Sequence, residues 1–181
     1  MQILLLGPAR PEVIQIINQG GDKVKVIEEK LSINSTIIQE TDFLISYGYR
    51  HILKPEILNR FPNRAINIHI SLLPWNRGAD PNLWSFLENT PKGVTIHELD
   101  EGLDTGDILI QTETEFTNED TLRTSYDKLN TIAVELFKDL WLKIRNGEIH
   151  SRPQPSGGSL HYLRDRERYQ HLLTNGWDTP V

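Results

Sequence analysis

Apolar positions in the first third of the chain fall into short unbroken runs separated by helical stripes. Residues 2–6 form an apolar run closed by Gly7-Pro8, the pattern of a strand buried on both faces of a parallel sheet. Over residues 11–19, Val13, Ile14, Ile16 and Ile17 share one helical stripe, and Gly20-Gly21 ends it because glycine tolerates left-handed cap geometry. Residues 23–27 alternate and predict a second strand, 32–39 a weak helix, and 42–46, with Phe43-Leu44-Ile45, a third strand. Residues 55–59 predict a short helix with proline in its first turn, and Ala65-Ile66-Asn67-Ile68 a fourth strand. Downstream, 81–88 predicts a helix burying Leu83, Trp84, Phe86 and Leu87, and 93–99 and 107–115 predict strands. Residues 121–145 predict the longest helix, capped by Asn118 or Asp120 and closed at Gly147. A proline- and glycine-rich loop covers 152–159, and 161–173 predicts a last helix.

Strands alternating with helices predict βαβ units and an α/β fold: a Rossmann-like, open, mostly parallel twisted sheet with helices on both faces. Ligands in such sheets bind beyond the carboxyl ends of the strands, here Gly7-Pro8-Ala9-Arg10, Ser46-Tyr47-Gly48-Tyr49 and Asn67-Ile68-His69. The composition changes near Ser151. That divides the chain into a catalytic domain over 1–150 and an extension over 151–181, packed on the core or at a dimer interface.

Composition narrows the chemistry. The chain of 181 residues is long enough to bury a core without metals or disulfides, and it has no cysteine, so thiolate chemistry is excluded. The net charge of −6 argues against a nucleic-acid partner, and Arg164, Arg166 and Arg168, interleaved with Asp165 and Glu167, read as a solvated face. No stretch has the length and apolarity of a membrane span, and the opening run lacks the basic start of a leader, so a cytoplasmic chain with no membrane partner is expected.

Two segments stand apart from this regular pattern. In the first, Asn67-Ile68-His69-Ile70-Ser71-Leu72-Leu73-Pro74-Trp75-Asn76-Arg77-Gly78, Asn67 and His69 lie two apart at a strand end and share a face. An amide and an imidazole aimed into one crevice can hold a carbonyl oxygen and move a proton; equally, Asn67 can cap a turn and His69 can be a satisfied histidine. The second, Asp100-Glu101-Gly102-Leu103-Asp104-Thr105-Gly106-Asp107-Ile108, reads as a solvated turn, a cation loop without EF-hand spacing, or a source of an aspartate that orients His69.

Together the two segments resemble the formyltransferases, a family that includes glycinamide ribonucleotide, methionyl-tRNA and sugar-nucleotide formyltransferases and the formyltransferase half of the aminoarabinose-lipid enzyme. The match rests on Asn67-Ile68-His69 followed by Ser71-Leu72-Leu73-Pro74, and on Asp104 within Asp100-Glu101-Gly102-Leu103-Asp104-Thr105-Gly106. Arg77-Gly78, Trp84 and Gly93-Val94-Thr95-Ile96-His97 add to it, over residues 42–116. The resemblance implies a formyltransferase fold and catalysis by Asn67, His69 and Asp104. It implies N10-formyltetrahydrofolate as co-substrate, no metal, and a folate pocket walled by Tyr47, Gly48, Tyr49, Arg50, His51, Ile52 and Leu53 on one side and Glu98, Leu99, Asp100 and Gly102 on the other. The front half is short for the family, as though a βα unit had been trimmed. Its first loop, Gly7-Pro8-Ala9-Arg10-Pro11, holds one glycine and two prolines, a poor phosphate cradle.

The acceptor implied is a small primary amine, with Arg10, Ser71, Trp75, Arg77 and Gly78 as its contacts. The acidic charge argues against tRNA, and the poor first loop against glycinamide ribonucleotide, which leaves a nucleotide-linked amino sugar. Glycinamide ribonucleotide, hydrolysis of formyltetrahydrofolate, and non-catalytic folate binding stand as alternatives. A homodimer is compatible with this sequence.

Overall fold

The computed structural model describes residues 1–181 and is organised by one six-stranded sheet. Strand β1 (Gln2–Leu6) lies between β2 (Lys23–Ile27) and β3 (Phe43–Ser46), and β4 (Ala65–His69) follows β3; these pairings are all parallel. The unbroken apolar runs of β1 and β3 follow from their central positions, covered on both faces. β2 is an edge strand, and it alternates accordingly: Lys23 and Lys25 face out, Val24 and Val26 pack inward.

The back half enters the same sheet the other way. After β4 come a two-residue strand β5 (Arg77–Gly78), helix α4 (Pro81–Leu87), and strands β6 (Gly93–Glu98) and β7 (Ile108–Glu113). The chain does not return to the starting end of β4. Thr95 of β6 sits opposite His69, so β6 runs antiparallel to β4, and β7 antiparallel to β6. The sheet is therefore mostly parallel, in the order β2-β1-β3-β4-β6-β7.

Two cores flank the sheet. On one face Ile3, Leu5, Phe43, Ile45, Ile66, Ile68, Val94 and Ile96 pack against helices α1 (Pro11–Gln19) and α5 (Leu122–Arg145). Leu129, Ala133, Phe137, Trp141 and Ile144 form the α5 stripe at helical spacing, and Trp141 meets Phe43 edge-on at 5.3 Å. On the other face Leu4, Leu6, Leu44 and Ala65 pack against Leu31, Ile38, Leu53, Ile57 and Phe61, carried by the short helices α2 (Thr36–Gln39) and α3 (Pro55–Leu58) and their loops. The shortness of the front half lies in these two single-turn helices; all three of its crossovers are present.

Three local expectations need correction. The weak helix expected over 32–39 is helical only from Thr36, because Ser32, Asn34 and Ser35 turn locally, with Asn34 N–H donating to the Ser32 hydroxyl. The cap of α5 is Thr121, not Asn118 or Asp120: Thr121 Oγ1 accepts from Thr124 N–H at 3.2 Å and Thr124 Oγ1 from Thr121 N–H at 2.8 Å. The last helix expected over 161–173 is instead a two-residue strand β8 (Leu160–His161), parallel to β5, and a 3-10 stretch Leu163–Leu172 that buries no residue. With no apolar stripe to bury, nothing favours a regular α-helix there. His161 stacks on Trp84 at 3.9 Å instead. No helix is long and apolar enough to cross a membrane.

Candidate active site

The strand period of two places Ile66 and Ile68 of β4, and Val94 and Ile96 of β6, on the face covered by α5. The alternate positions are Asn67 and His69 on β4 and Thr95 and His97 on β6. The opposite face thus changes from apolar near Ala65 to a buried polar stripe near the carboxyl end of β4. Asn67 and His97 are register partners. Two loops, 70–80 and 99–107, cover this stripe in place of a helix.

Asp104 closes the group from above. Its Oδ1 accepts from Asn67 Nδ2 at 3.0 Å, and its Oδ2 accepts from the Gly78 N–H at 2.7 Å. Asn67 Nδ2 also lies 3.2 Å from His97 Nε2. His97 Nδ1 sits 2.7 Å from the Glu98 carbonyl, which can only accept, so Nδ1 carries the proton and Nε2 of the neutral ring accepts from Asn67. Both N–H groups of Asn67 are then engaged, and its Oδ1 is left as an acceptor.

His69 is oriented by a backbone group rather than by Asp104. Its Nε2 donates to the Asn76 carbonyl at 3.0 Å, while Nδ1 is 3.7 Å from Asp104 Oδ2, beyond hydrogen-bond length. The basic nitrogen of the neutral ring therefore faces Asp104 and the crevice. Burial alone would push the Asp104 carboxyl up. The charge of His69 and the hydrogen bond and charge of His97, in the protonated forms of those rings, together with the Gly78 N–H, outweigh it and hold Asp104 well below the usual carboxylate range. Asp104 stays ionised, and an imidazolium formed at His69 would have a carboxylate beside it.

Asn76 and Asp104 both adopt left-handed backbone angles, φ 57° and 55°. Asn and Asp tolerate this region better than other side chains, yet each such residue typically costs ~1–3 kcal/mol. Both are held by neighbours: Asn76 is fully buried, and its Nδ2 donates to Thr90 Oγ1 at 2.7 Å.

The expected folate wall separates by face. Leu53 is buried in the second core with Tyr49 and Leu99 packed against it, while Arg50, His51 and Ile52 are exposed, Ile52 at 69%. Tyr49 spends its hydroxyl on the 29–31 loop, accepting from Leu31 N–H and donating to the Glu29 carbonyl, both at 2.9 Å. Tyr47 departs from the expectation. Its ring lies in the first core with Phe43 and Ile45, on the face away from Asn67, and its hydroxyl donates to Asn130 Oδ1. The Arg10 guanidinium covers that ring at 3.8 Å and donates to the same Asn130 oxygen, so Arg10 also belongs to the α1–α5 side. Across the crevice, Asp100 binds within its own loop, to Thr105 Oγ1 and the Gly102 N–H. Ser71 is likewise spent inside its loop, donating to the Trp75 carbonyl, whereas Trp75 is partly exposed and Gly78 gives its N–H to Asp104. Arg77 pairs along Leu160 and Ser159.

Two cavities, about 380 Å³ and about 240 Å³, are lined by neither Asn67, His69 nor Asp104. Asn67 and His69 are buried, and the Asp104 side chain is nearly so. No cluster of three or more His, Asp or Glu side chains has metal-ligand geometry. His97 was absent from the sequence-based set of catalytic candidates. Its signal was available: as the second polar position of an otherwise apolar strand, two from Thr95, it repeats the spacing of Asn67 and His69.

Residues 16–140 match the family described as Formyl transferase. Over 122 residues the chain is 40% identical to the methionyl-tRNA formyltransferase of Thermodesulfovibrio yellowstonii, a match covering 67% of this chain but 39% of that protein. It thus spans well under half the length of that relative. A crystal structure of the formyltransferase PseJ from Anoxybacillus kamchatkensis, in complex with UDP-4,6-dideoxy-4-formamido-L-AltNAc and tetrahydrofolate, is 54% identical. It superposes with a TM-score of 0.97 over 99% of this chain and 95% of that one. A 4-N formyltransferase from Francisella tularensis shares the fold at a TM-score of 0.81, covering 92% of this chain and 78% of that one with 24% identity.

Proposed function

The chain belongs to the formyltransferase family, and from that premise we propose that it transfers a formyl group from N10-formyltetrahydrofolate to the primary amine of a nucleotide-linked amino sugar. The observation that carries this proposal is the buried polar group at the end of β4, in which Asn67, His69, His97 and Asp104 meet beside an apolar wall. The likeness to a protein whose crystal structure holds a UDP-linked formamido sugar and tetrahydrofolate supports the acceptor class.

The folate co-substrate supplies an electrophilic formyl carbon on N10. A flat heteroaromatic ring wants apolar walls, and exposed Ile52 and half-buried Leu99, on the two loops we assign to the folate pocket, can supply them. In the reaction the acceptor nitrogen forms a bond to the formyl carbon and the bond from that carbon to N10 breaks. His69 Nδ1 takes the proton that the acceptor nitrogen loses and returns it to N10. Asp104, ionised and adjacent, stabilises the imidazolium in between, and the Asn76 carbonyl keeps the ring from turning. Asn67 reaches the developing oxyanion by trading one of its two N–H contacts, that to His97 being the longer at 3.2 Å.

This assignment makes His69 the proton carrier and not a folate contact. His69→Ala should lower kcat/KM about 10²- to 10⁴-fold, while tetrahydrofolate binding, followed by fluorescence quenching, stays within a few-fold of wild type. Near wild-type turnover by His69→Ala would remove its role.

A further inference from the structure

The extension beyond the catalytic loops does more than pack. We propose that residues 152–161 form a strap whose Gln154 and Ser159 are positioning residues, fixing the backbones of Asp104 and Asn76 and through them the catalytic group. The inference rests on the formyl-transfer reading for its kinetic consequence, but its geometry stands without it.

Gln154 Nε2 donates both its hydrogens to the loop that carries Asp104: to the Asp104 carbonyl at 2.8 Å and the Gly106 carbonyl at 2.9 Å. Ser159 does the equivalent for the other loop. Its Oγ accepts from the Asn76 N–H at 2.9 Å and sits 3.3 Å from Asn76 Oδ1. Asn76 and Asp104 are the two non-glycine residues with left-handed backbone that touch the catalytic side chains, one through the carbonyl that orients His69 and one through its own carboxylate. Each strained position is met by one strap side chain. Strained backbone persists only where its surroundings over-determine it; Thr90, Asn67 and Gly78 hold the two side chains, and Gln154 and Ser159 fix the backbone.

The strap is built to be stiff. Pro153 and Pro155 flank Gln154, which confines it to extended backbone and lowers the entropy lost when its side chain docks. Paired hydrogen bonds between Arg152 and Ile108 anchor the front of the strap to β7. At the rear, Gly158 has φ 87°, and a Cβ there would stand 2.0 Å from the Pro74 carbonyl oxygen, so only glycine lets the strap close on the 70–80 loop. The family match ends at residue 140, so it does not account for these contacts.

The test separates hydrogen bonding from packing. Gln154→Met keeps the shape and removes the donors; Ser159→Ala removes the hydroxyl and Ser159→Thr restores it. The Asp104 carboxyl is followed by carbon NMR on aspartate-labelled protein, assigned with Asp104→Asn. Alongside it are measured kcat, KM for both substrates, and the thermal midpoint. With the strap intact, the Asp104 resonance stays that of a carboxylate down to acid unfolding. In Gln154→Met it should titrate at higher pH, with kcat down about 10- to 100-fold, KM values within about threefold, and Ser159→Thr recovering what Ser159→Ala loses. A wild-type kcat and an unmoved Asp104 resonance in Gln154→Met would overturn the proposal. So would a loss confined to the thermal midpoint. If wild-type protein formylated no amine and Asp104 still moved in Gln154→Met, the reaction would fall and the positioning role would stand.

Discussion

At the scale of single residues, pattern alone left Asn67 and His69 open between a structural and a catalytic reading, and the family resemblance singled out Asn67, His69 and Asp104; the structure hydrogen-bonds Asn67 to Asp104 and sets His69 Nδ1 3.7 Å from the same carboxylate. The partners that hold them were not legible in the same way. Asn76 acts through a carbonyl, Gly78 through an N–H, and Gln154 through contacts some fifty positions away in the chain; backbone groups and long-range contacts leave no residue-type signature. Tyr47 was misplaced for a different reason. The family resemblance set it in the folate wall, whereas the period of two that places Phe43 and Ile45 in the first core runs on through Tyr47 and puts its ring there too. Asp104 carries a pH prediction. A carboxyl depressed by folding stabilises the fold at pH above its ordinary pKa near 3.9, and that stabilisation is lost as pH falls through the lower folded value. Asp104→Asn, which keeps the left-handed backbone accessible, should therefore flatten the loss of stability on acidification below about pH 4, while costing at least about 10²-fold in turnover. Urea midpoints measured against pH check this, and parallel acid limbs for wild type and variant would contradict it.

At the scale of elements, the unbroken runs of β1 and β3 and the stripe of α5 were readable because burial on two faces or on one helical face writes a period into the sequence. Direction was not readable: β6 and β7 carry the same kind of pattern whether they pair parallel or antiparallel, and the path of the 70–92 segment decides. Ends were less certain still, as at α5, where Asn118, Asp120 and Thr121 are all capping types and only the reciprocal bonds with Thr124 select one. Thr121→Ala should cost about 1 kcal/mol of stability in urea unfolding, with activity at saturating substrate unchanged; no loss would return the cap to a neighbour. Asp120 has a different task at the same helix end. Hydrogen bonds from Lys128 Nζ and the Thr117 N–H pull its carboxyl down to about 2. Because that value is depressed, its contribution is present above the ordinary carboxylate pKa and fades as pH drops toward 2. Asp120→Asn should accordingly destabilise the chain near neutral pH and converge on wild type in acid, and an equal deficit at both ends of the pH range would show that the charge is not what matters.

At the scale of the whole molecule, the two faces of the sheet have separate tasks. The α1–α5 face is a continuous apolar core, and the other face gives up apolar packing at Asn67, His69, Thr95 and His97 to make a polar group under two loops. That concession sets the polar group at the carboxyl end of β4, where we propose the chemistry to occur. The acceptor is where sequence was least informative: the resemblance implied a small primary amine, and exclusion, from a charge of −6 and a first loop poor in free amides, left a nucleotide-linked amino sugar. The central claim is tested most directly by competition. The protein is incubated with N10-formyltetrahydrofolate and an equimolar mixture of a UDP-linked 4-amino-4,6-dideoxy sugar, glycinamide ribonucleotide and methionyl initiator tRNA, and formylated products are counted by mass. Formyl should appear on the sugar amine in large excess, at a rate matching the release of tetrahydrofolate, and should vanish with His69→Ala. Formyl carried chiefly by the ribonucleotide or the tRNA, or tetrahydrofolate released with free formate and no formylated amine, would contradict it.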